Sequence, residues 1–169
     1  MSSAPEPGVV ITHPNRGKPV VQATRATVIL LLLVSAGLVL LVTIGGWSEL
    51  EGATPIEIGY VAVYLTLAFF AGRWNRGVLP VAAALAVLLA IFALVAGPAW
   101  LERDKAGFAE PALNASLLGL LTLLIVPVQI LVVAFAMRGF NQGWNVEVER
   151  RTGGGQHEIP TGGPSPHPA

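Results

Sequence analysis

The sequence predicts an all-α polytopic membrane protein: four transmembrane helices in up-down-up-down order, with both termini cytoplasmic. Three observations predict it. Four long apolar segments punctuate the chain, the basic residues cluster on alternate sides of them, and a tryptophan stands near the downstream end of each. Of 169 residues 53% are hydrophobic and only 12% charged, too few charges for an ordinary water-facing surface. Ten Lys/Arg balance ten Asp/Glu, so the net charge offers no attraction to nucleic acid.

Residues 1–25, with prolines at 5, 14 and 19, read as a flexible cytoplasmic N-terminal arm. The first span is expected at about residues 26–46, because Ala26 to Gly46 is a run of 21 residues without a charge. At ~1.5 Å per helical residue such a run matches a hydrocarbon layer of roughly 30 Å. The basic flank resembles that of a signal peptide, but the run exceeds the roughly 7 to 15 residues of such a core. No clean A-x-A site follows it, so the span is expected to be retained.

The second span, about 55–72, is the shortest, with 15 uncharged residues between Glu57 and Arg73. Thr54-Pro55-Ile56-Glu57 has the pattern of a capping box, which places proline at the first helical position and Glu57 at the membrane surface. The turn from Arg73 to Gly77 is tight, which predicts that helices two and three are neighbours.

The third span, about 78–101, carries a small-residue stripe at Ala82, Ala86, Ala90, Ala93 and Gly97. Steps of three and four share one helix face, and lack of bulk lets another helix approach closely. Ala68-x-x-x-Gly72, Ala112-x-x-x-Ser116 and Ser35-Ala36-Gly37 offer further close-contact positions.

The fourth span, about 111–137, holds the least ordinary content. Pro127 removes the donor that the Leu123 carbonyl would use, and Gln129 places an amide within the span. Two readings stay open: a polar, kinked feature lining a solute path, or a proline bend with Thr122 and Gln129 as packing links between helices.

Charge placement tests the span count separately. Arg16, Lys18, Arg25, Arg73, Arg76, Arg138, Arg150 and Arg151 fall on one side of a four-span arrangement, and only Arg103 and Lys105 on the other. That bias predicts cytoplasmic termini. Trp47, Trp74, Trp100 and Trp144 read as interfacial anchors. Residues 146–169 turn rich in Gly and Pro beyond Arg151 and read as a disordered cytoplasmic tail. A small repetition, Gly72 to Gly77 and Met137 to Asn145, reads as positive-inside bias with aromatic anchoring rather than duplication.

Chemistry is sparse. The chain has no Cys, and His13, His157 and His167 all lie outside the spans, so no catalytic, cofactor-binding or metal-ligating residue is assigned. Ser35, Thr43, Thr66, Ser116 and Thr122 read as hydroxyls returning hydrogen bonds to their own helices. Glu102 and Asp104 stand beside Arg103 and Lys105 and read as solvated. The expected function is a non-catalytic accessory or assembly subunit in a bacterial inner membrane, with lipids, other membrane subunits or further copies as partners. The alternative is a small oligomeric transporter or channel component centred on Pro127 and Gln129.

Overall fold

The computed structural model describes residues 9–105, 107–108 and 111–151. In chain order they form β1 (Val9–Thr12), α1 (Pro19–Gly45), α2 (Thr54–Gly72), α3 (Val78–Glu102), α4 (Ala115–Asn141) and β2 (Val148–Arg151). Single turns of 3-10 helix at Trp47–Glu49 and Glu51–Ala53 join α1 to α2. The chain divides into two units, one spanning His13–Val146 and one comprising the residues on either side of it.

All four helices are long and apolar enough to cross a membrane. Their outward positions are also apolar: Leu30, Phe69, Val95 and Ile130 are each more than half exposed. Such extensive apolar surface is unfavourable in water and natural against lipid tails. The fold is therefore that of a multi-pass membrane protein.

Consecutive helices run antiparallel. Thr43 near the end of α1 bonds Glu57 near the start of α2 at 2.6 Å, while Arg25 bonds the Gly72 carbonyl at the opposite ends, also at 2.6 Å. The Leu113 amide donates to Gly45 at 3.0 Å, and the Gln142 amide donates to the Thr24 hydroxyl at 3.0 Å, which sets α4 antiparallel to α1. Leu79 at the start of α3 packs beside Gly139 at the end of α4, and Leu101 at its end beside Gly119. Packing is most extensive between α3 and α4, followed by α1 with α2 and with α4. Contrary to the expectation from their short turn, α2 and α3 barely meet. The turn fixes only where the two helices are joined, and the cleft described below opens between them at the Glu57 end.

Three helix starts differ from the sequence expectation. Helix α1 begins at Pro19 rather than residue 26, because proline suits a first helical turn and the extra turns bury Val21 and Thr24. Helix α4 begins at Ala115 rather than 111, where the Asn114 side chain accepts from the Ser116 and Leu117 amides at 2.9 and 3.3 Å. Ala112 and Ser116 thus do not share a helix. At the start of α2 no capping box forms: Thr54 is already helical, at φ −48° and ψ −46°, and Glu57 turns to Thr43 instead.

The end of α2 closes with two backbone bonds, Trp74 to Ala71 at 3.1 Å and Asn75 to Phe70 at 3.0 Å. This is a Schellman-type cap, and Trp74 takes the left-handed conformation, φ 63°, where glycine is usual. Such strain costs on the order of 1 to 3 kcal/mol and needs support from its surroundings. The indole has it. Arg25 stacks over it at 4.2 Å, and the Trp144 ring meets it edge-on, 5.7 Å between centroids.

The tryptophans depart from a simple anchoring belt. Trp47 is exposed, but Trp100 and Trp144 are buried, the latter completely. Trp144 plugs its end of the bundle, with Gly139 so close that a β-carbon there would stand 2.9 Å from the indole. The repeated Arg, aromatic and Asn residues are not equivalent in conformation either, since the left-handed residue is Trp74 in one copy and Gly143 in the other.

In the smaller unit, β1 and β2 pair antiparallel, with Val9 opposite Arg151 and Thr12 opposite Val148. The Thr12 hydroxyl adds a bond to the Val148 carbonyl at 3.1 Å. These strands lie within segments read from sequence as arm and tail. The rest of the tail assignment, from 152 to 169, and residues 1–8 of the arm fall outside the described residues.

Candidate functional site

Two places in the helical unit bring polar groups into apolar surroundings. The first is a buried cluster joining three helices. Gln129 on α4 is wholly buried; its Nε2 donates to Ser35 Oγ on α1 at 3.0 Å, and its Oε1 accepts from the Tyr64 hydroxyl on α2 at 2.8 Å. Ser35 in turn donates to the Leu31 carbonyl at 2.7 Å. Both ends of the amide are thus engaged, which an apolar interior demands of any polar group.

Pro127 does not join this cluster. It lies on the exposed face of α4, whereas Gln129 points inward, so the two do not form a single polar, kinked feature. The helix continues through Pro127 to Asn141. Thr122 is also buried and returns its hydroxyl to the Leu118 carbonyl at 2.7 Å.

The small-residue stripe lies mostly in the core. Ala82, Ala86, Ala93 and Gly97 are buried, and Ala90 is half-buried. Gly97 and Gly119 face one another: a β-carbon on Gly119 would stand 3.1 Å from the Gly97 carbonyl, and one on Gly97 only 2.6 Å from Leu123. Gly119 is the partner that reading α3 alone cannot reveal. Ser35 and Ala36 are buried, but Gly37 meets open space, so that trio supplies two packing positions rather than three.

The second place is a side-open cleft of about 610 Å³ whose walls come from all four helices. Its lining is almost wholly apolar, with Tyr60 on α2 and Phe92 and Trp100 on α3 among the larger groups. The rings of Tyr60 and Phe92 meet edge to face, 6.4 Å between centroids. Among the described residues Glu57 is the one carboxylate in the wall. Its Oε2 accepts from Thr43 Oγ1 at 2.6 Å, yet that hydroxyl also stands 2.8 Å from the Val39 carbonyl. One hydroxyl hydrogen serves two acceptors.

The cleft was not legible as such from sequence, where Glu57 had a capping role. Its signal was the bulk of Tyr60 and Phe92 on helices joined by a short turn. Among the described residues no group of three or more His, Asp or Glu is placed to hold a metal ion.

Fold and site together define a four-helix multi-pass membrane protein with a laterally open cleft. Comparisons with protein-family models, curated proteins and solved structures found no match.

Proposed function

We propose that this is a non-catalytic integral membrane protein of the accessory or assembly kind, working by association with other membrane subunits or with copies of itself. The observation that carries this reading is Gln129, whose amide is spent on Tyr64 and Ser35. An amide so engaged ties α1, α2 and α4 together and has little left to offer a passing solute. The bias of the basic residues supports cytoplasmic termini, and the composition suits a bacterial inner membrane. Purification in mild detergent tests the association: a stoichiometric membrane partner supports it, whereas a homo-oligomer that conducts solute in liposomes refutes it. Topology is tested by cysteines at positions 16, 51, 104 and 151, labelled in intact cells with an impermeant maleimide. Labelling is expected at 51 and 104 only.

A small transporter is the second reading, favoured by the side-open cleft rather than by Pro127. In that case solute would enter from the bilayer past Glu57, and flux would depend on cleft residues while Gln129→Leu weakened only the fold.

A further inference from the structure

We propose that the cleft lined by α2 and α3 is a binding site for an amphiphile carrying one positive charge, its cationic head at Glu57 and its apolar body along Tyr60, Phe92 and Trp100. The inference rests on the cleft alone and stands apart from the accessory-subunit reading.

Size comes first. About 610 Å³ lies within the range of roughly 300 to 1,000 Å³ typical of small-molecule sites. The walls then decide the body of the ligand: aliphatic and aromatic side chains exclude a hydrophilic solute and accept an apolar one.

Charge decides the head. Among the described residues Glu57 is the one carboxylate lining the cleft, and it pairs with no cation there. Glu49, near the same end of the bundle, does have a cation, Arg103. A carboxylate beside apolar walls is stabilised by a counter-charge, and the shared Thr43 hydroxyl supplies only a partial dipole. A bound cation completes the pair, and the rings of Tyr60, Phe92 and Trp100 add attraction through their π faces. An anion of equal size gains the apolar contacts but meets Glu57 with the wrong sign. The required chemistry, a cationic head on an apolar body, is common to free lipophilic cations and aminophospholipids of the bilayer.

The test uses the purified full chain in micelles of the non-ionic detergent dodecylmaltoside, which carries no ammonium group, with radiolabelled tetraphenylphosphonium and its anionic isostere tetraphenylborate as probes, protein-free micelles subtracted. Saturable binding of the cation and none of the anion is expected. Glu57→Gln should weaken cation binding at least tenfold and Glu57→Asp by less, with elution profile and thermal transition of both variants showing that they are folded. Repeating the measurement with phosphatidylethanolamine added to the micelles separates the sources. Competition identifies the aminophospholipid as occupant, and undiminished binding identifies a free cation. Equal binding of both ions, or Glu57→Gln binding like wild type, overturns the proposal. So does a co-purifying polypeptide that blocks the probe, since the cleft then belongs to a partner helix.

Discussion

Helix α3 treats its two neighbours differently. Toward α4 it offers small residues, and Gly97 comes so near Gly119 that neither has room for a β-carbon unless a neighbour shifts. Toward α2, to which a five-residue turn joins it, it offers Phe92 against Tyr60, and a cleft remains between the helices. In lipid no water is expelled when helices meet, so close contact depends on shape. Small side chains permit it and aromatic ones hold the backbones apart. Covalent proximity through a short loop does not substitute for a complementary face.

The strongest way to break this contrast is to add bulk where the helices are tight. Gly119→Val should destabilise the protein by about 2 to 3 kcal/mol, because the new atoms meet the Gly97 carbonyl and Leu101. Reversible unfolding in mixed micelles measures it, and an unchanged midpoint would show that α4 can slide away at little cost. Ala86→Leu should cost about 1 to 2 kcal/mol in the same assay, since Ala86 is fully buried. Ala90→Leu should cost less at a half-buried site, and Leu88→Ala, nearly half exposed, less again.

Next in size is the polar link. Gln129→Leu strands the Tyr64 hydroxyl without its acceptor and should cost about 1 kcal/mol. Adding Tyr64→Phe should recover part of that loss, because it removes the stranded donor as well. Strict additivity in this double-mutant cycle would mean that the bond contributes nothing to stability.

The smallest effect sharpens the other side of the comparison. Ala96 lines the cleft and is only half-buried, so Ala96→Leu should change stability by less than about 0.5 kcal/mol. A loss as large as that of Ala86→Leu would mean that the cleft is closed in the bilayer and that α2 and α3 pack after all.

The helices were readable from sequence because hydrocarbon imposes a simple rule on length and charge, one that Ala26 to Gly46 satisfies without reference to the rest of the chain. Helix ends were less readable. Pro19 and Asn114 act through caps and first turns, which a count of uncharged residues ignores. The stripe on α3 declared its own face, but nothing local to it names Gly119 as the partner. Glu57 shows the limit most clearly: its sequence neighbours spell a capping box, while its actual partner is Thr43 on another helix. Side chains that act between helices leave no signature in either helix alone.

The Trp74 and Trp144 pair has an optical consequence. Two indoles 5.7 Å apart and inclined at 82° are close enough for their excited states to couple, so this end of the bundle carries its own chiral chromophore. Trp47, exposed at the opposite end of α1, lies outside the pair and emits from a different environment. Circular dichroism from the coupled rings therefore follows the closure of one end of the protein, while the red edge of the fluorescence follows the other. With no label attached, fraying at either end can be timed separately during unfolding.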